Sequence, residues 1–244
     1  MDKLKANPNF VTAVESFDPL ALGLAPGRYE AALRYLFDRP PPPPLGQAWY
    51  WDDDLADFAA TPIEWTRLQT ALFARAGTDL AGWTDEQIGM GLNYLVNHAL
   101  SHVPFTVLDT GVPRVEALRL LRALPMLWRD LLGPRLVARH APIGSCEGDL
   151  AFVCYMWFDA WPPAWSRHDE PDWRDALWQA LQAILAVPCR DVRIGALHGV
   201  GHLGRRLAGQ AGVDALVTDF LRTIPATDME LRAYARAAQG GCVQ

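Results

Sequence analysis

Four of the six histidines in this chain fall into two pairs whose spacing suits a metal ion. His98 and His102 are four residues apart, and so are His198 and His202. On an α-helix, residues at i and i+4 lie on one face, so two imidazoles can share an ion. The spacing predicts two helical histidine pairs, and a four-histidine site if the two helices face each other.

Carboxylate partners for these histidines are missing from the local sequence. Neither pair has the glutamate of an HExxH motif, and no nearby DxH or HD motif supplies a base. Two ligands alone do not define a metal site. The sequence therefore favours the alternative, in which the histidines are structural or contact a partner. No cofactor is predicted.

The second pair belongs to a glycine-rich helix predicted over Asp191–Ala208. On a helical wheel His198 and His202 lie beside Arg205, opposite the apolar stripe. That stripe consists of Val192, Ala196, Val200, Leu203 and Leu207. We expect the His198–His202–Arg205 face to contact a neighbouring helix or a partner protein. The four glycines of this helix are expected to permit close approach of another backbone.

Helix start signals and proline stops organise the remaining chain. Thr61-Pro62-Ile63-Glu64 and Thr84-Asp85-Glu86-Gln87 are capping boxes, and apolar residues recur at three and four rather than at two. The chain is therefore predicted to be one all-α domain over 1–244, with an irregular segment at 1–26 and a stiff connector at 40–44. Helices are predicted over Arg28–Asp38, Pro62–Ala76 (with Gly77 as a left-handed cap), Asp85–His102, Pro113–Leu132, Cys146–Trp161 (capped by Ser145), Asp172–Val187, Asp191–Ala208, Val213–Arg222 and Asp228–Gln239.

The helix over Asp191–Ala208 also carries a family resemblance. Pro188-Cys189-Arg190-Asp191-Val192-Arg193, followed by Ala196-Leu197, Val200-Gly201 and Leu203-Gly204, resembles the second helix of a HEAT repeat. The resemblance implies antiparallel helix pairs with HEAT- or armadillo-like solenoid character over 171–239. Consecutive helix pairs from residue 61 onward match the roughly 40-residue unit of such repeats. Proteins of this kind mostly bind other proteins.

Composition narrows the classes of partner and compartment. The net charge of −6 argues against nucleic-acid binding, which needs a basic surface. No run of 18 apolar residues is present, and Met1–Phe10 has no apolar signal region, so neither a membrane span nor a signal peptide is expected. The four cysteines are scattered without a CxxC pair. A reduced, cytoplasmic setting is predicted.

The function predicted first is non-catalytic protein binding. Trp161 and Trp165 belong to a tryptophan-rich stretch that packs in the core or forms an interface, and with His198, His202 and Arg205 they are the predicted partner-binding residues. By analogy with small acidic helical proteins, the role would be that of an immunity protein that neutralises a toxin. The alternative is a metal-dependent, hydrolase-like enzyme that uses the paired histidines. No catalytic nucleophile is predicted.

Overall fold

The computed structural model describes residues 16–43, 46–52, 54–138, 141–145 and 147–243. Within these ranges the structure is helical and contains no strand, which confirms the all-α prediction. Residues 1–15 of the predicted irregular segment lie outside the described residues, as does Pro44 of the predicted connector. None of the described helices combines the length and apolar character that crossing a membrane requires.

Apart from one long and bent helix near the C-terminus, the described helices have between 4 and 18 residues. Their bounds are α1 Arg28–Phe37, α2 Pro62–Asp79, α3 Asp85–Val96, α4 Arg114–Leu127, α5 Gly133–Leu136, α6 Asp149–Ala160, α7 Pro162–Trp165, α8 Pro171–Leu185, α9 Arg190–Thr223 and α10 Met229–Gly240. Helix α9 is broken at Gly209, whose φ of 69° is left-handed. The break separates the two helices predicted over Asp191–Ala208 and Val213–Arg222.

The two predicted capping boxes differ in the structure. Thr84 accepts the backbone N–H of Gln87 at 3.3 Å, and the Gln87 side chain accepts the Thr84 N–H at 3.1 Å. That box is confirmed. Thr61 also accepts the backbone N–H of Glu64, but the Glu64 carboxylate binds Arg28 at 2.6 Å instead of reaching back. The predicted box at Thr61 is therefore only a one-sided cap.

Three predicted boundaries are wrong for identifiable reasons. Helix α2 continues through Gly77, where an added Cβ would lie 2.5 Å from the Asp130 carbonyl oxygen, so this glycine serves close packing rather than a cap. Helix α6 begins after Gly148, whose left-handed φ of 86° does not belong to a helix, rather than after Ser145; Cys146 lies outside the described residues. A π-helical turn at Trp128–Leu132 carries the chain on from α4 into α5, so Gly133 does not end the helical path.

Helix α3 ends at Val96 and does not reach His102, which corrects the prediction for the first histidine pair. Asn97 is extended, and its side-chain oxygen accepts the Ala99 N–H at 3.0 Å. The backbone N–H of His98 meanwhile donates to the Ala160 carbonyl oxygen at the end of α6. These bonds compete with the next helical turn, so His98 and His102 do not share a helix face.

The packing order differs from consecutive pairing in the first half of the chain. Helix α2 packs most extensively against α4, and α3 against α6, so these main contacts skip at least one helix. Towards the C-terminus α9 packs against α6, α8 and α10. The HEAT-like solenoid over 171–239 stays a prediction.

Glycines on α9 set its distance from α6. A Cβ at Gly195 would lie 2.5 Å from the Cys154 carbonyl oxygen, and one at Gly199 would lie 2.6 Å from the Phe158 ring. Both neighbours belong to α6, so the predicted close approach of a neighbouring helix is confirmed for these two glycines, and Gly195 faces its backbone. The other two glycines of this helix, Gly201 and Gly204, face the side chains of Val243 and Val213 instead. Contacts as short as these leave no room for a side chain, and they bring the polar residues of α6 and α9 together.

Candidate metal site

A carboxylate from α6 meets both histidines of α9. Asp159 Oδ2 lies 2.8 Å from His198 Nε2, and Asp159 Oδ1 lies 3.4 Å from His202 Nε2. One ligand atom from each of the three residues lies within 4.8 Å of the other two. The histidine rings themselves are 4.6 Å apart between centroids. The arrangement is a two-histidine, one-carboxylate set on two helices.

The positions of these side chains follow from the helices that carry them. His198 and His202 are one turn apart in the straight first part of α9, so both imidazoles face the same neighbour. Asp159 lies in the last turn of α6. Gly195 and Gly199 hold that helix against the same stretch of α9, which brings the carboxylate within reach of both rings.

A second layer of hydrogen bonds fixes the buried histidine. His198 Nδ1 lies 2.7 Å from the hydroxyl of Tyr234 on α10, and that hydroxyl lies 3.2 Å from the hydroxyl of Tyr155 on α6. The Tyr155 ring also packs on His198, with 4.5 Å between centroids. Because a phenol either donates or accepts, the tyrosine pair supports both tautomers of His198. Metal-binding histidines usually have such a partner on the second ring nitrogen.

The charges in this site are linked to its hydrogen bonds. Burial alone raises the pKa of Asp159, but the hydrogen bond from His198 and the charges of His198 and His202 outweigh it, so the pKa falls below its ordinary value. The pKa of Tyr234 is raised by burial, then by the Tyr155 hydroxyl and by the charge of Asp159. Asp159 is therefore a carboxylate at neutral pH, and Tyr234 is a neutral phenol.

The site is buried on one side and open on the other. The side chain of His198 is 2% exposed, whereas those of Asp159 and His202 are 31% and 40% exposed. An ion at these ligands would keep a coordination position towards solvent at the His202 edge. Open positions of this kind characterise catalytic rather than structural zinc sites.

The donor set and its spacing fit a divalent transition metal. Tetrahedral zinc with ligands at about 2.1 Å requires donor atoms about 3.4 Å apart. The distance from Asp159 to His202 equals that value at 3.4 Å, whereas the 2.8 Å distance from Asp159 to His198 is a hydrogen bond that would lengthen when an ion binds. All three ligand atoms lie within 4.8 Å of one another. Imidazole and carboxylate ligands suit zinc and ferrous iron.

The first histidine pair lies elsewhere and has other partners. His98 Nδ1 bonds the Ala160 carbonyl oxygen at 2.9 Å, and His102 lines an aromatic cleft beside Tyr94. Among the described residues, three or more potential ligands come together only at Asp159, His198 and His202. The structure therefore does not assemble the four-histidine site that the spacing allowed.

The predicted partner-binding residues are divided between core and surface. Trp161 is 0% exposed and packs on Trp157, so it is not available to a partner at the surface. Trp165 is 39% exposed. Arg205 is also exposed, but it donates to the Gly240 carbonyl oxygen at 2.9 Å and so binds the end of α10.

Sequence reasoning missed Asp159, Tyr155 and Tyr234. A usable signal was present, because after Asp149 in the first turn of DLAFVCYMWFDA, Tyr155 and Asp159 are polar residues four apart among apolar ones. A polar stripe on a buried helix needs partners from a facing helix. The histidine face of the neighbouring helix supplies them.

No protein-family model, curated protein or solved structure matches this chain. The chemistry of the site is therefore the basis for assigning a function.

Proposed function

We propose that this chain binds one divalent transition-metal ion, zinc as the first candidate, through Asp159, His198 and His202, and that the ion serves a hydrolytic reaction. The observation that carries the proposal is the position of Asp159, which turns a histidine pair into a three-ligand set. Two imidazoles and one carboxylate form the ligand set of several hydrolytic zinc enzymes.

The surroundings support a reactive rather than a purely structural ion. Structural zinc sites are closed by four protein ligands, whereas this set has three and is partly exposed at His202. When bound, such an ion lowers the pKa of a bound water to about 7 and polarises carbonyl or phosphoryl oxygens. Tyr234 would orient His198 by accepting its Nδ1–H, which leaves Nε2 free to bind the ion.

The first experiment measures metal binding by titration calorimetry. The chelator-treated chain is expected to take up one equivalent of zinc, and affinity is expected to disappear in the double variant His198→Ala/His202→Ala. The matched control is His98→Ala/His102→Ala, which removes the same residue types at the same spacing. Equal loss in both variants, or no uptake by the unmodified chain, would contradict the proposal.

Uptake of zinc leaves open whether the ion is reactive, so a second measurement addresses hydrolysis. The zinc-loaded chain and the His202→Ala variant are compared on activated esters and phosphodiesters of p-nitrophenol. His202 is the most exposed of the three ligands, so replacing it by alanine removes a metal ligand with little effect on core packing. Zinc-dependent turnover that the variant lacks supports the reaction class, and metal binding without turnover restricts the proposal to binding.

Protein binding is the second candidate, and an exposed aromatic patch favours it. Phe105 and Trp165 are 43% and 39% exposed, and the His98 ring packs edge-on against both, at 6.5 Å from Phe105 and 5.9 Å from Trp165 between centroids. Exposed aromatic residues are enriched at binding hot spots. In this candidate the HEAT-like segment supports a surface that captures one protein, such as a toxin.

The test of this candidate measures binding to the protein encoded by the neighbouring reading frame. A one-to-one complex whose affinity falls in Trp165→Ala but not in Trp51→Ala would support toxin binding through this patch. Trp51 is 54% exposed and serves as the matched control. Equal affinity of both variants would reject the patch as the binding surface.

A further inference from the structure

Aromatic rings from three parts of the chain meet at a cleft that does not include the metal ligands. Trp49 lies 5.6 Å from Tyr35 of α1, 5.4 Å from Tyr50 and 4.9 Å from Tyr94 of α3, between ring centroids. These four residues line a cleft of about 230 Å³, together with Asp52 and Asp57. A cleft of this size accommodates a small organic molecule.

Negative charge lies at the rim of this aromatic cleft. Asp52 and Asp57 are exposed and line the same opening. The pKa of Tyr94, which lies at the buried end, is raised by burial and by the Tyr35 hydroxyl, and then by the charge of Asp57. Aromatic faces and carboxylates both attract cations and disfavour anions.

The chain itself already places a cation on this cluster. The guanidinium carbon of Arg39 lies 5.1 Å from the centroid of Tyr35 and 5.2 Å from that of Trp49. Both distances are within the range of cation–π attraction. Arg39 therefore occupies one face of Tyr35 and Trp49. Arg39 does not line the cleft, where these two rings meet those of Tyr50 and Tyr94.

The hydroxyl groups of the cleft distinguish between kinds of cation. Those of Tyr35 and Tyr94 face each other at 3.5 Å, and that of Tyr50 accepts a hydrogen bond from Asn93 at 3.2 Å. A primary ammonium needs several hydrogen-bond acceptors in place of the water molecules that it loses on binding. The hydroxyl groups of these tyrosines already take part in other hydrogen bonds. A quaternary ammonium has no N–H groups to satisfy.

We propose that the cleft formed by Tyr35, Trp49, Tyr50 and Tyr94, with Asp52 and Asp57 at its rim, binds a small quaternary ammonium compound. The rings contact the methyl groups, and the carboxylates attract the charge from the opening. This site is independent of the metal ligands.

The experiment compares choline with its neutral isostere 3,3-dimethyl-1-butanol, which has the same shape without the charge. Binding to the full chain is measured by ligand-observed NMR and by calorimetry. We expect choline and tetramethylammonium to bind and the neutral alcohol not to bind. Equal binding of the alcohol would overturn the proposal, because the cleft would then recognise only apolar bulk.

Two variants assign the binding to the cleft. Trp49→Leu is expected to weaken choline binding roughly 2- to 30-fold, the range of cation–π contributions. Asp57→Asn, on an exposed residue, is expected to weaken it less and to reduce its dependence on salt. Trp165→Leu is the matched control, since this half-exposed tryptophan is not among the residues that line the cleft.

Circular dichroism separates loss of binding from loss of fold. If Trp49→Leu reduces the helical signal, Tyr50→Leu and Asp57→Asn replace it as the test. Unchanged choline affinity in folded variants at both Tyr50 and Asp57 would overturn the proposal.

Discussion

His98 and His102 have the same separation along the chain as His198 and His202, but they lie in unlike surroundings. The first pair follows the end of α3, where one imidazole bonds a main-chain carbonyl and the other borders an aromatic cleft. The second pair lies within α9 and shares one carboxylate. Equal spacing therefore gives a shared site only where the helix continues and a facing helix supplies the third group.

The facing helix supplies that group because small residues let it approach. Gly195 and Gly199 place α6 against α9 at contact distance, and Asp159 lies at the end of this contact. Near His98 it is the main chain of α6 that forms the contact. The Ala160 carbonyl oxygen accepts hydrogen bonds from both the backbone N–H and the ring nitrogen of His98, so no side chain of α6 is needed there. Helix α6 thus bonds both histidines of the second pair through a carboxylate, and His98 of the first pair through a backbone oxygen.

The largest expected effect comes from separating α6 and α9 with Gly195→Ala. Alanine stabilises an isolated helix by about 1 kcal/mol relative to glycine, but here its methyl group would lie 2.5 Å from a carbonyl oxygen. We expect a net loss of about 1–3 kcal/mol in the free energy of unfolding, measured with urea. Zinc affinity should fall as well, because Asp159 moves away from the imidazoles.

Gly82→Ala is the control for this change. An added Cβ at Gly82 has nothing within 4 Å, and the residue is exposed. Its free energy of unfolding should stay within about 0.5 kcal/mol of the unmodified chain. A stable Gly195→Ala variant with full zinc affinity would show that the glycine contact does not position the site.

Helix starts and apolar faces could be predicted from the sequence because they depend on neighbouring residues. The Thr84–Gln87 box and the break at Gly209 are local features, and both appear in the structure. The face that carries His198 also packs against other helices, as the wheel predicted. These features need no knowledge of distant parts of the chain.

The end of α3 and the ligand Asp159 could not be predicted in the same way. A hydrogen bond from His98 to Ala160 helps to end α3, and residue 160 is remote in sequence. Asp159 likewise becomes a ligand only because α6 lies against α9, which the periodicity of neither helix reveals. Local patterns determine which faces are polar, whereas the partner of each face depends on the packing order.

A smaller effect is expected from the hydroxyl that holds His198. Tyr234→Phe removes the group 2.7 Å from Nδ1 of a buried imidazole. The free energy of unfolding should fall by about 1–2 kcal/mol, and zinc affinity should fall roughly 10- to 100-fold. Tyr155→Phe keeps the Tyr234–His198 bond and should reduce zinc affinity much less. Equal effects of the two variants would contradict a specific role for Tyr234 in orienting the ligand.

A still smaller effect, with a defined pH dependence, is expected for Asp159→Asn in the chelator-treated chain. The pKa of Asp159 is lowered on folding, so its ionised form stabilises the fold at neutral pH, and this contribution disappears as the pH falls through the lowered pKa. The variant should be less stable by about 0.2–1 kcal/mol at pH 7, because the ionised carboxylate of a partly exposed residue no longer accepts the hydrogen bond from His198. This difference should shrink below about pH 4, near the ordinary carboxyl pKa. Urea unfolding that gives a constant difference down to pH 3 would contradict a stabilising role of the ionised Asp159 carboxylate.

The smallest effect is expected from His98→Gln in the first pair. His98 is exposed, and its ring nitrogen bonds a carbonyl oxygen that also accepts the His98 backbone N–H, so a bond to that oxygen survives the substitution. The free energy of unfolding should change by no more than about 0.5 kcal/mol, and zinc affinity should not change. His202→Gln is the matched variant in the second pair, where the same substitution removes a ligand at an exposed position. If His98→Gln lowered zinc affinity as much as His202→Gln does, the two pairs would belong to one site, and the distinction between them would be wrong.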